Sequence, residues 1–229
     1  MNNNPVSVII PVFNAEKYVA EAIGSVLSQI YKNIEVICVN DKSTDNSLSI
    51  LKSFGDKIIL INNEDNYGTA ESRNKGIRLA RGEFLAFIDN DDIWESNKLE
   101  FQINQFSNNP DLDISFSYMQ CFISPEISKE AKNLRYCPPD PIPGYIPSTI
   151  MVKKTSFEKV GYFDSRWKNG ESVDWIFKAQ EAGLNIQLID QVLVKRRIHE
   201  TNKGILDSSI SKSEYLKIIR ESVNRRKNK

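Results

Sequence analysis

Strand-like and helix-like segments alternate four times in about the first 110 residues of the chain. An amphipathic or capped helix pattern follows each strand-like segment, and such alternation is typical of right-handed βαβ units on a parallel sheet. The sequence therefore predicts an α/β fold with a mixed, mostly parallel central sheet flanked by helices. The four strand-like segments are short, apolar and rich in β-branched residues: Val6–Val12, Ile34–Val39, Ile58–Ile61 and Phe84–Ile88.

The chain length favours a single domain. A chain of 229 residues can enclose one substantial core. Six prolines and little periodicity between Ser124 and Pro147 predict a long loop rather than a second domain. We expect one domain over residues 1–229, with one half at 6–110, a second at 111–205 and a basic helical tail at 206–229.

The remaining elements are predicted from periodicity and from residues that begin or end helices. We expect Ser43 or Thr44 to cap the second helix and Gly82 to end the third. The predicted helices are Tyr18–Leu27, Ser43 or Thr44 to Phe54, Thr69–Ala80, Asn97–Phe106, Thr155–Val160, Val173–Ala182 and Ser211–Lys229. The further predicted strands are Ile114–Ile123, Ile186–Ile189 and Val192–Ile198.

Charge and cysteine content limit the class of protein. Thirty basic and thirty acidic residues cancel, so the overall charge does not favour nucleic acid as a partner. Three cysteines without a C-x-x-C pair favour a reducing compartment, and we expect a cytoplasmic protein. No apolar run is long enough to span a bilayer, so we expect no transmembrane segment. The basic tail is more typical of a solvated surface, with peripheral membrane contact as the alternative.

An acidic cluster, Asp89–Asp92, directly follows the strand Phe84–Ile88. Ligands bind at the carboxyl ends of parallel strands in open α/β sheets, so this cluster is expected at a binding site. Its carboxylates suit Mg²⁺ or Mn²⁺, which prefer oxygen ligands and bind beside substrate phosphates. The alternative is a polar turn in which Asp92 or Ser96 caps the next helix.

Two other strand ends carry polar or aromatic side chains that would meet at the same edge. Phe13 could stack on a nucleobase, while Asp41 could accept a hydrogen bond from the base or from a ribose hydroxyl. Alternatively, Phe13 packs in the core and Asp41 opens an Asx turn. Arg73 falls on the helix face that should meet the sheet, so it requires an anion. Its partner is either a phosphate or an aspartate, Asp89 or Asp92.

These motifs, in this order, resemble the family 2 inverting glycosyltransferases of GT-A fold. The resemblance covers Ser7–Asn14, Asn40–Asp45, Asn66–Gly68 with Ser72–Gly76, and Gly82–Phe84 leading to Asp89–Asp92. It implies a nucleotide-diphosphate sugar donor, with Asp91 on the divalent metal. The donor-binding residues it implies, together with the residue patterns above, are Pro11, Phe13, Asn14, Asp41, Gly68, Arg73, Asp89 and His199.

The catalytic base is where the sequence departs from the family. A base must deprotonate the acceptor hydroxyl, and Ser172 stands where the family commonly has an aspartate. Either Glu171 or Asp174 takes the role, and we favour Glu171. Trp175 is expected on the acceptor side. A second departure is Asn40, where the family commonly has an aspartate.

The predicted function is metal-dependent transfer of a sugar, with inversion, to an acceptor hydroxyl. The acceptor is a glycan, a lipid-linked saccharide or a peptide. The degenerate base position leaves a non-catalytic sugar-nucleotide-binding protein as an alternative. A nucleotidyltransferase is less favoured, because no Gly-rich basic phosphate loop follows the first strand.

Overall fold

The computed structural model describes residues 4–128, 130, 136–202 and 208–227. The predicted boundary between residues 205 and 206 lies outside the described residues, as do the last two residues of the predicted tail helix. Within the described part of the chain, nine strands form one sheet. The strands are β1 (Val6–Val12), β2 (Ile34–Asn40), β3 (Ile59–Asn62), β4 (Phe84–Phe87), β5 (Ile93–Trp94), β6 (Ile114–Ile123), β7 (Ile142–Gly144), β8 (Met151–Lys153) and β9 (Ile186–Ile198).

Helices flank this sheet on both faces. The α-helices are α1 (Val19–Leu27), α2 (Ser47–Ser53), α3 (Gly68–Leu79), α4 (Lys98–Asn108), α5 (Lys154–Val160), α6 (Glu171–Glu181) and α7 (Ser208–Lys227). Two 3₁₀ turns lie at Gly55–Lys57 and Pro147–Thr149. The predicted α/β fold is confirmed.

The strand order is β3-β2-β1-β4-β8-β6-β9-β5, with β7 paired to β6. Within the group β1 to β4, each pair of neighbouring strands is parallel. The strand β8 runs antiparallel to both β4 and β6 and joins this parallel half to the second half. The carboxyl ends of β1, β2 and β4 therefore lie at one edge, which positions their loops together.

The core has two layers because side chains alternate along each buried strand. Val8 and Ile10 of β1 pack in one cluster with Ile23 of α1. Ile9 packs on the opposite face with Ile77 of α3 and with Trp175 of α6. The strand β1 is buried along its whole length, as its nearly all-apolar sequence predicts.

The predicted capping residues of two helices are wrong. The helix α2 begins at Ser47, because the residues expected to cap it bond to the loop after β1 instead. Ser43 Oγ accepts from the Asn14 backbone N–H, and the Thr44 N–H donates to Asn14 Oδ1. The helix α3 ends at Leu79, before Gly82. Glycine is needed at position 82 because a Cβ there would lie 2.5 Å from the backbone nitrogen of Ser7.

Two differences concern strands. Part of the predicted loop from Ser124 to Pro147 forms β7, which pairs with β6. The strands predicted at Ile186–Ile189 and Val192–Ile198 are one strand, β9, whose pairing with β6 is irregular between the two segments.

No helix among the described residues combines the length and apolar character that crossing a bilayer requires.

Candidate active site

A cleft of about 830 Å³ opens at the carboxyl ends of β1, β2 and β4. The second half of the chain closes it with the start of α6 and the end of β9. Two of the predicted site residues, Asp174 and Trp175, do not line it. The predicted residues that do line it are Pro11, Phe13, Asn14, Asp41, Gly68, Arg73, Asp89, Asp91, Glu171 and His199.

Asp41 lies at the end of β2 and is only 3% exposed. Its Oδ1 accepts from Asn63 Nδ2 at 2.8 Å and from the Tyr67 backbone N–H at 2.9 Å. Its Oδ2 accepts from the Gly68 N–H at 2.8 Å, so this carboxylate also holds the start of α3. A carboxylate oxygen offers two lone pairs, so Oδ2 keeps one for a ligand.

Phe13 is 47% exposed in the cleft, which rules out the alternative that it packs in the core. The next residue, Asn14, adopts a left-handed backbone with φ of 48°, a conformation that asparagine tolerates better than most residues. Its contacts with the loop after β2 keep these two strand ends together. An exposed aromatic ring thus lines the same cleft as Asp41, as base binding would need.

Arg73 is the inward-facing arginine predicted from the α3 pattern, and it is 2% exposed. Its guanidinium pairs with Asp89 through Nη2 and with Glu171 through Nη1. The predicted aspartate partner is therefore Asp89, and Asp92 is not in contact. Because Asp89 follows β4 and Glu171 begins α6, Arg73 connects the two halves of the chain across the cleft.

Glu171 lies in the cleft wall and is 5% exposed. Arg73 engages its Oε1, while its Oε2 is buried without a hydrogen-bond partner among the described residues. An unpaired buried carboxylate oxygen is costly to maintain unless a ligand or a proton completes it. Ser172, the next residue, also lines the cleft.

Asp91 and His199 meet in the lining of the cleft. The Asp91 Oδ2 atom lies 2.9 Å from His199 Nε2 and 3.3 Å from Asn202 Nδ2. Within the described residues, no group of three or more His, Cys, Asp or Glu side chains could hold a metal ion. One carboxylate and one imidazole fit Mg²⁺ or Mn²⁺, because these ions take few protein ligands beside substrate phosphates.

Asp92, the last residue of the acidic cluster Asp89–Asp92, is buried. It accepts from the Ser148 hydroxyl at 2.6 Å and from the Arg197 backbone N–H at 3.1 Å. Burial, reinforced by the charges of Asp91 and Asp89, raises the pKa of Asp92 well above its usual range. Asp92 therefore joins the turn to β9 and does not cap the next helix, whose N-cap residue is Asn97.

The structure places Asp174 and Trp175 away from the cleft. Asp174 is 1% exposed and pairs with Lys178 at 2.6 Å and with Arg225 at 3.5 Å. Trp175 stacks on Phe157 in the core and is also 1% exposed. The expected acceptor-side position of Trp175 is wrong, because α6 turns this face toward the sheet.

Sequence reasoning missed three residues that shape the site. Asn63 supports Asp41 and follows β3, so the strand-end argument could have found it. Ser148 accepts from the Asp89 N–H and donates to Asp92, but its loop has no periodic signal. Tyr215 lines the cleft from α7, in a segment that reads as a solvated tail.

Residues 7–161 match the family described as Glycosyl transferase family 2. The chain belongs to glycosyltransferase family 2. It is 34% identical over 209 residues to an uncharacterized glycosyltransferase of Rickettsia typhi, covering 85% of this chain and 64% of that relative. It is 43% identical over 119 residues to the Escherichia coli UDP-Glc:alpha-D-GlcNAc-diphosphoundecaprenol beta-1,3-glucosyltransferase WfgD, covering 52% of this chain and 46% of WfgD. The chain thus spans between about half and two thirds of these two relatives.

Solved structures support the GT-A fold of this family 2 chain. Staphylococcus aureus TarS 1-349 in complex with UDP-GlcNAc matches with a TM-score of 0.72 at 24% identity, covering 86% of this chain and 60% of that one. The mannosyltransferase PcManGT from Pyrobaculum calidifontis, in complex with GDP-Man and Mn²⁺, matches with a TM-score of 0.69 at 18% identity. It covers 89% of this chain and 59% of that one.

Proposed function

We propose that the protein transfers a sugar from a nucleotide-diphosphate donor to an acceptor hydroxyl in one displacement that inverts the anomeric carbon. The observation that carries this proposal is the free, buried Oε2 of Glu171 in the cleft wall. The names of similar proteins support the donor class: TarS binds UDP-GlcNAc, and PcManGT binds GDP-Man with Mn²⁺. WfgD is named for a UDP-Glc donor.

In this proposal, the donor lies against the loops that the first half of the chain contributes to the cleft. Phe13 stacks on the base, Asp41 accepts from the nucleoside, and Pro11, Asn14 and Gly68 form the surrounding loops. Asp89, held by Arg73, contacts the ribose or the diphosphate.

The metal site in this proposal is formed by Asp91 with His199. A Mg²⁺ or Mn²⁺ ion bound there would act as a Lewis acid toward the departing nucleoside diphosphate. His199 would therefore interact with the donor phosphates through the metal ion bound at this site. Asp89 is not included among the ligands, because Arg73 already engages its carboxylate.

The proton transfer uses Glu171. The acceptor oxygen bonds to the anomeric carbon as the bond from that carbon to the diphosphate oxygen breaks, and the acceptor proton passes to Oε2. Arg73 fixes Oε1, which orients the carboxylate without occupying its second oxygen. Asp174 is not retained as a base, because Lys178 and Arg225 engage it outside the cleft.

The first prediction concerns Glu171→Gln. Glutamine can still accept from Arg73 but cannot take a proton, so we expect kcat to fall by about 10²- to 10⁴-fold. Donor affinity should stay within about twofold. The measurement is nucleoside diphosphate release with UDP-glucose, UDP-GlcNAc and GDP-mannose in Mn²⁺, paired with calorimetric donor binding.

Ser172→Ala and Asp174→Asn are the matched controls, and both should keep turnover if Glu171 is the base. Unchanged turnover in Glu171→Gln would refute the assignment. A wild-type protein that binds a donor but neither transfers its sugar nor hydrolyses it would favour the non-catalytic alternative.

The proposal also includes a cytoplasmic location, which the three free cysteines support because thiols stay reduced in that compartment.

A further inference from the structure

The C-terminal helix α7 is bound to the wall of the cleft. The Glu214 carboxylate accepts from the backbone N–H groups of Lys168 and Asn169, each at 2.9 Å. Ile218 lies so close to Gly170 that a Cβ at position 170 would overlap its side chain. These contacts fix the loop that immediately precedes Glu171.

A second group of contacts binds α7 to α6. The Arg225 Nε donates to Glu181 at 2.6 Å, and its Nη2 lies 3.5 Å from Asp174. The Ser222 hydroxyl donates to Glu181 at 2.6 Å. The helix that begins with Glu171 is thus held along its length by α7, contrary to the expectation of a solvated tail.

Tyr215 lies on α7 beside Glu214 and lines the cleft with 39% of its surface exposed. Lys168, Asn169 and Glu171 line the same cleft. Burial raises the pKa of Tyr215, and the negative charge of Glu171 acts in the same direction. The phenol is therefore neutral at physiological pH.

The ring and its surroundings match a sugar better than an apolar ligand. Tyrosine presents an apolar face and a hydroxyl, and a pyranose likewise has an apolar C–H face and a hydroxyl edge. Asn169 adds an amide from the loop that Glu214 fixes. Besides Phe13, which stands among the donor loops, Tyr145 and Tyr215 line the cleft with partly exposed rings, and Tyr215 is the one on the helix that holds the loop before Glu171.

We propose that Tyr215 binds a pyranose ring of the acceptor. This inference rests on the proposed function. It assigns the acceptor to the saccharide class, either free or attached to a lipid. A peptide acceptor is the competing outcome.

The test compares wild type with Tyr215→Ala, Tyr215→Leu and Tyr215→Phe. The matched control is Leu216→Ala, the next residue, which is 69% exposed. Acceptor probes are p-nitrophenyl pyranosides of glucose, galactose and N-acetylglucosamine, used with the donor that binds most tightly. A chemically prepared lipid-diphosphate N-acetylglucosamine distinguishes lipid-linked from free saccharide.

We expect Tyr215→Ala to raise the acceptor KM about five- to tenfold, the range of one lost aromatic contact. The donor KM and the rate of donor hydrolysis by water should stay within about twofold. Tyr215→Phe should retain the wild-type acceptor KM within about threefold, and Leu216→Ala should match wild type. Tyr215→Leu keeps bulk in case the alanine variant fails to fold, and it should show the same rise.

An unchanged acceptor KM in both Tyr215→Ala and Tyr215→Leu would overturn the assignment. If wild type hydrolyses the donor yet transfers to a peptide and to none of the saccharides, the acceptor class is wrong while the proposed function stands. If wild type binds no sugar nucleotide, the proposed function fails and this inference fails with it.

Discussion

Arg73 is the residue on which the two halves of the site depend most directly. Its guanidinium is enclosed between Asp89, which is partly exposed, and Glu171, which is buried. Its Nε has no hydrogen-bond partner among the described residues. The pairing therefore holds two carboxylates in place while one buried donor of the guanidinium stays unsatisfied, which is rare in folded proteins.

The second prediction is that Arg73→Gln destabilises the fold. Removing one partner leaves buried carboxylate charge without compensation, and we expect a loss of about 3 kcal/mol. The measurement is urea unfolding at pH 7. Arg78→Gln is the control on the same helix, because the Arg78–Glu71 pair is more exposed and should contribute less than about 1 kcal/mol. Equal losses in the two variants would contradict a special role for the buried pair.

Residue placement could be predicted only where the topology dictates it. Asp41, Asp89 and Asp91 follow parallel strands, so their convergence follows from the sheet alone. The inward direction of Arg73 follows from helical periodicity. Its contact with Glu171 joins residues 98 positions apart, and no local pattern encodes it.

At the scale of elements, Gly82 is explained by the close approach of its backbone to β1, and not by the helix-ending role that the sequence predicted. Gly82 lies beside β1, and its N–H donates to Ser7 Oγ at 2.8 Å. Gly24 lies on the exposed side of α1, where a Cβ would meet nothing within 4 Å. A side chain at position 82 would therefore overlap backbone atoms, whereas a side chain at position 24 would meet open space.

The third prediction contrasts alanine at these two positions. Gly82→Ala should destabilise the protein by about 1–3 kcal/mol, because the added Cβ contacts backbone that cannot move freely. Gly24→Ala should stabilise it by about 0.5–1 kcal/mol, because alanine has the higher helix propensity. Urea unfolding curves measure both. A destabilised Gly24→Ala variant would contradict the open surroundings of that position.

Long apolar strands were predicted closely and very short ones were not. The limits of β1 and β6 match the prediction, because β1 is almost entirely apolar and β6 is a ten-residue segment rich in apolar and aromatic residues. The strands β5, β7 and β8 contain two or three residues each, too few for a periodic pattern. These short strands come from tertiary pairing, and β8 is the one that links the two halves of the sheet.

At the scale of the whole molecule, the cleft is completed by residues from both halves. The proposed nucleoside and metal positions lie on the first half and at the end of β9, while Glu171 and Tyr215 come from α6 and α7. A ligand that bridges these parts stabilises the folded chain by mass action, since the unfolded chain cannot bind it. Unfolding temperature therefore reports whether the metal and the nucleotide share one site.

The fourth prediction is that UDP or GDP with Mn²⁺ raises the unfolding temperature more than either component alone. At about 100 times Kd the stabilisation is about 2.7 kcal/mol. For a chain of this size it corresponds to a rise of roughly 5–10 °C. Asp91→Ala, or a chelator, should remove the part that depends on metal, because the proposed site loses its carboxylate or its ion.

Asp190→Ala is the control for that experiment, since Asp190 is an exposed carboxylate outside the cleft. It should keep the full rise. Asp41→Asn separates the nucleoside contact from the metal contact, because we expect it to weaken nucleotide binding with and without Mn²⁺. A nucleotide-induced rise that is equal in chelator and in Mn²⁺ would argue against a metal bridge at Asp91. In that case the diphosphate would have to be held by protein cations alone, for which Arg196 in the cleft wall is the first residue to test.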